Sequence, residues 1–197
     1  MLFLGKNRDL NLWKTKVAIK TKWIEILYKF STGSKRVRTL LTPVGAVIFG
    51  FFTTLFVVAA LTLDKWLGLP KTISLTSRYY IATPILMAGT FMMGWSISHF
   101  LKAGGTPVPT SPPPRLVTTG PYAYSRNPML TGIFILLFGI GIMFGSISLT
   151  FLFTPLFIIV NLWEVKEIEE PELVTRLGDE YIAYRNKTSR FIPNIRK

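Results

Sequence analysis

The chain has 197 residues, with 23 Lys and Arg against 10 Asp and Glu, a net charge of +13, 49% hydrophobic residues and only 17% charged ones. A soluble domain carries about 25% charged residues, so this composition points to a polytopic membrane protein. The chain has no Cys and a single His, which excludes disulfides, thiolate metal sites, a thiol nucleophile and a His-rich metal site. No metal is expected, and any chemistry must come from carboxylates, Tyr, Arg, Asn, backbone groups or a cofactor.

The first 42 residues form a basic arm. On a helical wheel Lys14, Lys22, Glu25 and Lys29 share one arc, while Trp13, Val17, Trp23, Ile24, Ile26 and Leu27 occupy much of the rest. That describes an amphipathic helix lying at the membrane interface, its lysines turned to anionic headgroups. No nucleic-acid module is visible and the charge sits beside membrane spans, so a nucleic-acid partner is not expected.

Residues 43–63 and 79–100 contain no charge across 21 and 22 positions if His99 is neutral. At about 1.5 Å per residue each is long enough to cross a hydrocarbon core of about 30 Å. Residues 104–114, GGTPVPTSPPP, cannot be helical and read as a stiff spacer or a flap. Residues 128–163 form a third uncharged stretch, 36 long and broken at Gly145-Ser146. It reads as a helical hairpin whose arms, roughly 17 residues and about 25 Å each, lie at the lower limit for a span. The expected fold is therefore all-α: a polytopic membrane helix bundle with two full spans, a C-terminal helical hairpin and an N-terminal interfacial helix. Residues 1–42 are the arm, and residues 43–197 the membrane-embedded domain.

Lys and Arg number 10 in residues 1–42, 3 in 64–78, 3 in 101–128 and 7 in 164–197. The positive-inside rule then places the N-terminus, the 101–128 loop and the 164–197 tail together in the cytoplasm. A cytoplasm-facing site would have to be built from those segments.

Two of them carry polar groups in an arrangement that suits a ligand. The segment RLVTTGPYAYSRNPMLTG, residues 115–132, turns at Gly120-Pro121 and again at Asn127-Pro128, where it enters the third apolar helix. Free amides at a helix start favour a carboxylate or phosphate, and Tyr122, Tyr124, Arg126 and Asn127 supply aromatic faces, a cation and an amide. In the tail, Glu164, Glu167, Glu169, Glu170 and Glu172 follow directly on an apolar helix, and Tyr181, Tyr184 and Arg185 recur at helical spacing beyond them. Carboxylates at the mouth of a bundle could hold a cation at a partly desolvated site.

The pattern G-P-Y-x-x-x-R-N-P-M, an apolar hairpin, then E-E-P-x-L-x-x-x-x-G-x-x-Y-x-x-Y and R-F-I-P resembles the isoprenylcysteine carboxyl methyltransferase and phospholipid methyltransferase superfamily. It is carried by Gly120, Pro121, Tyr122, Arg126, Asn127, Pro128 and Met129, by Glu169, Glu170, Pro171, Leu173, Gly178, Tyr181 and Tyr184, and by Arg190 to Pro193. The resemblance implies S-adenosylmethionine held by the 120–129 loop and the Glu169-Glu170 pair. Catalytic roles would fall to Arg126, Asn127 and Glu170, and the acceptor would be a lipophilic molecule from the bilayer. It also implies a small residue against the cofactor in the preceding helix, for which Gly89 is the counterpart. Asn127 stands where eukaryotic carboxyl methyltransferases have His, and Leu130 where a Tyr is common.

Methyl transfer from a sulfonium needs no metal and no nucleophilic side chain, which suits this composition. Two other readings compete with it. One is an NADPH-dependent membrane reductase of sterol-like or enone lipids, and the other a non-enzymatic scaffold in which the polar motifs only cap the bundle. His99, at the end of the second span, is read chiefly as structural or interfacial, and the hairpin glycines as packing positions.

Overall fold

The computed structural model describes residues 21, 22, 24–26, 28, 29, 35–71, 73–106, 113 and 115–192. Most of the basic arm lies outside the described residues. Of it, Lys22, Glu25 and Lys29 are helical and exposed, while Ile24 and Ile26 are half-buried, as an amphipathic helix requires. Among the described residues there are no strands.

Helix α1, Lys35–Trp66, contains the apolar span Thr42–Trp66, so one continuous helix runs through position 42. Helix α2, Leu75–Lys102, begins at Ser74, whose Oγ accepts the Ser77 amide at 3.2 Å. Helix α3, Pro128–Phe144, has Pro at its first turn, where no donor is needed, and ends on Gly145 in the left-handed conformation at φ 60°. Helix α4, Leu149–Leu177, is 29 residues long, and helix α5, Asp179–Lys187, follows a break at Gly178. The result is an all-α membrane bundle with three helices long and apolar enough to span, plus the shorter α3.

The hairpin differs from expectation in its second arm. Its first arm, α3, has 17 residues, about 25 Å long. The second does not stop at Trp163 but continues through the glutamates to Leu177, about 43 Å in all. Loss of hydrophobicity ends a buried stretch, not a helix. Two π turns, Leu149–Phe153 and Val165–Glu169, interrupt α4, and in each the closing amide reaches back five residues: Thr154 to Leu149 and Glu170 to Val165. A proline follows each closing residue, Pro155 and Pro171. A proline ring clashes with the carbonyl four residues earlier, and widening the preceding turn relieves that clash while keeping the helix continuous.

The hairpin also crosses the full height of the bundle. Its turn packs on the α1–α2 connection, with Ser146 Oγ and the Ser148 amide both donating to the buried Asp64 carboxylate, the latter at 2.9 Å. Lys71 Nζ caps the α3 terminus at Phe144 O, 3.0 Å away, and the Arg78 guanidinium lies against Gly145. Asp64 also faces the start of α4, where a negative charge is favoured. Asp64→Ala is expected to lower stability by about 1–3 kcal/mol by leaving these two donors unpaired, read as a thermal melt of detergent-solubilised protein. An unchanged melt would mean that the turn is held by the apolar contacts alone.

Helices α2 and α3 form the tightest seam. A Cβ on Gly89 would lie 2.9 Å from Gly132 O and from Leu136 N, and one on Gly132 would lie 2.9 Å from Met93 N. Small residues allow this backbone approach. With α2 and α3 locked, residues 115–127 and the far end of α4 are brought together at the opposite end of the bundle from Asp64.

Candidate functional site

A cavity of about 600 Å³ opens at that end. Its apolar part is walled by Ala46 and Phe49 of α1, Met93 and Ile97 of α2, and Ile133 of α3; its polar part by Arg126, Asn127, Glu164, Glu169, Glu170 and Tyr181.

The polar wall rests on a short pairing between distant segments. Gly120, at φ 62°, and Pro121 start a 3-10 turn, Gly120–Ala123. The chain then runs beside residues 189–190. The Arg126 amide donates to Ser189 O at 2.9 Å, and the Asn127 amide and Nδ2 both donate to Arg190 O, at 3.2 and 3.3 Å. Phe191 stacks on Phe134 with centroids 5.7 Å apart, which anchors the same segment to α3. Asn127 thus spends its side chain on holding the C-terminal segment.

Glu170 is enclosed by two guanidinium groups. Arg190 binds it bidentately, Nε to Oε1 and Nη2 to Oε2 at 2.8 Å each, and Arg126 Nη1 reaches Oε1 at 2.9 Å. The Arg126 and Glu170 side chains are 9% and 7% exposed, so the network is nearly dry. Glu172 is similarly paired with Arg176 at 2.9 Å. Both Glu170 oxygens are occupied, which makes this carboxylate the keystone joining α4, the 120–127 loop and the C-terminal segment.

Two groups on the cavity wall lack a protein partner among the described residues. Arg126 Nε is buried with none there. Glu169 has no hydrogen bond or ion pair among the described residues; its electrostatic neighbours are Glu164, Glu172 and Glu170, with Arg176 as a compensating cation. Glu169 follows the cavity-facing Val165 by four residues, at the end of the π turn Val165–Glu169, and Glu164, Glu170 and Glu172 line the same wall.

The tyrosines are fixed and protonated. Tyr184 OH donates to Tyr122 O at 2.6 Å, and the Tyr181 oxygen lies 3.5 Å from Arg126 Nη1. Burial pushes the Tyr181 phenol up to about 12, aided by the neighbouring Glu170 carboxylate, and raises Tyr122 and Tyr184 as well. All three are neutral hydrogen-bonding groups at ordinary pH.

Of the residues proposed from sequence, Tyr122, Arg126, Asn127, Met129, Glu169, Glu170 and Tyr181 line one cavity. Gly89, Gly120, Pro121 and Pro128 are not among its lining residues. Gly89 sits in the α2–α3 seam. Gly120 lies against the His99 ring, which leaves no room for a Cβ. Pro121 and Pro128 are buried and shape the loop and the α3 start. His99 Nδ1 donates to Trp95 O at 2.9 Å and its Nε2 faces Gly120, a packing role. Gly89→Ala is therefore expected to cost about 1–3 kcal/mol by overpacking while leaving ligand affinity in the cavity unchanged, measured by melting and binding titration on the same preparation. Sequence reasoning assigned no role to Arg190, whose only signal was its place in the terminal R-F-I-P, and none to Asp64.

Comparison with known proteins agrees with this arrangement. A family model described as phospholipid methyltransferase matches residues 77–180, which contain α2, the 103–127 connection, α3 and α4. A protein-S-isoprenylcysteine O-methyltransferase of Schizosaccharomyces pombe is 40% identical over 84 residues, 41% of this chain. The match spans 34% of that protein's length. No solved structure matches. Since the matched segment covers more than half of the sequence and holds both arms of the hairpin with their polar wall, this chain belongs to the phospholipid methyltransferase family.

Proposed function

We propose that the protein transfers a methyl group from S-adenosylmethionine to a lipophilic acceptor at the cytoplasmic face of the membrane. The observation that carries this reading is a pair of unpartnered groups on one wall: among the described residues, a buried Arg126 Nε–H without an acceptor and a half-buried Glu169 carboxylate without a donor. Such a wall is complementary to a ligand that bears both a carboxylate and a cationic centre. The amino-acid part of S-adenosylmethionine has the first, and its ammonium and sulfonium supply the second.

Arg126 would hold the carboxylate and Glu169 the cationic groups, with Tyr122 and Tyr181 offering aromatic faces. Glu170 acts on the ligand only through Arg126, by fixing the guanidinium in place. When bound, S-adenosylmethionine supplies an electrophilic methyl group, so the chain's own task is to align acceptor and donor and to exclude water. An amine acceptor would have to lose a proton, and Glu164 or Glu169 is placed to take it; a carboxylate acceptor needs no base. The cytoplasmic orientation is supported by the 20 Lys and Arg on the N-terminal, loop and tail segments against 3 on the opposite side.

The same charges disfavour the reductase reading. Four carboxylates line the cavity against Arg115, Arg126 and Arg176, a poor setting for a dinucleotide with several phosphates. Titration of purified protein with S-adenosylmethionine and with NADPH separates the readings. Binding of S-adenosylmethionine alone is expected; binding of NADPH alone would overturn the proposal, and binding of neither would favour a scaffold.

A further inference from the structure

Helix α1 precedes the family-matched segment, which begins at residue 77, yet it supplies Gly45, Ala46 and Phe49 to the cavity wall. Its inward stripe continues two helical turns on, seven residues after Phe49, at Phe56 and then at Ala60 and Asp64. Along the far half that stripe is packed. Asp64 is bonded to the α3–α4 turn, Ala60 is fully buried, and the Phe56 ring meets Phe153 and Phe157 at 4.9 and 5.7 Å. Along the near half it lines the cavity, and the edge contact of Phe49 with Phe157, at 6.5 Å, joins α1 to α4 there.

Phe49 of α1 and Val160 of α4 both line the cavity and are 45% and 53% exposed. An apolar compartment between two helices long and apolar enough to span, continuous with a charged one, suits a molecule with a polar reacting end and a long apolar remainder. No side chain as large as Leu stands at 45 or 46 to stop such a chain.

On the methyl-transfer reading, on which this rests, we infer that α1 is the acceptor-selecting wall: the acceptor's apolar chain lies along Gly45, Ala46 and Phe49 and leaves toward lipid between α1 and α4. Side-chain bulk at 45 and 46 then sets which chains reach the reacting end, independently of cofactor binding. Specificity of this type is a matter of a few buried methylenes, each able to shift preference by about tenfold or more.

The test uses full-length protein in vesicles with labelled S-adenosylmethionine. The acceptor probes are S-geranylcysteine, S-farnesylcysteine and phosphatidylethanolamines of graded acyl length, with products separated by mass. Ala46→Phe is expected to shift the product profile about tenfold toward the shorter chains with unchanged affinity for S-adenosylmethionine. Phe49→Ala, which removes bulk and does not threaten folding by crowding, is expected to shift it toward longer ones. Val47→Phe, at a 70% exposed position that is not among the lining residues, should leave the profile alone. An unmoved profile in Ala46→Phe and Phe49→Ala, with methyl transfer intact, overturns the role of α1 and leaves the enzymatic reading standing. A wild-type protein that neither binds S-adenosylmethionine nor labels any probe overturns both.

Discussion

Glu170→Ala is expected to cost about 3–5 kcal/mol of stability, because it strands two guanidinium groups on a nearly dry site. For a chain of this size that corresponds to a fall in melting temperature of roughly 6–20 °C. Arg126 is only 9% exposed and Arg190 is 32% exposed, so the penalty falls mainly on Arg126. The damage should also spread. The Arg190 backbone holds Asn127 and the Ser125 hydroxyl, so loosening its side chain releases the segment that positions the 120–127 loop. A thermal melt, with limited proteolysis to detect exposure of residues 188–192, measures both effects. Glu170→Gln keeps two acceptor or donor positions and should fall between wild type and alanine. A variant that melts like wild type would show that the loop and the tail are held without this keystone.

Glu169→Gln should separate binding from folding. The wild-type carboxylate has no partner to lose, so the melt should be unchanged or slightly raised as repulsion from Glu164, Glu170 and Glu172 is relieved. Affinity for S-adenosylmethionine should fall by about 10- to 100-fold, the worth of a hydrogen bond to a charged group of about 1.5–3 kcal/mol. Calorimetric titration of wild type and variant checks this. Equal affinity in the two proteins would place the cationic centre of the ligand elsewhere. The adjacent pair therefore divides its work, with Glu170 dominating stability and Glu169 dominating the ligand.

That division was not legible in the sequence, where Glu169 and Glu170 stand side by side at the edge of an apolar helix. Both line the cavity, and what separates them is that, among the described residues, two guanidinium groups from distant segments close on Glu170 and none on Glu169. Gly89 packs against α3, a contact hidden for a related reason. A small residue in a membrane helix fits either a ligand or a neighbouring backbone, and only the position of Gly132 decides between them.

The sequence by itself determined that the chain is a membrane helix bundle, where its apolar runs lie, and which family it resembles. These follow from hydrophobic runs, charge counts and glycine or proline at fixed places, all of them local and additive properties. Only the tertiary structure decided that the hairpin reaches Asp64, that α1 walls the cavity, and that Arg126 and Arg190 pair with Glu170. Each of these is a pairing between residues 20 to 84 positions apart, and pairwise proximity over such separations depends on how the helices pack, which no local pattern encodes.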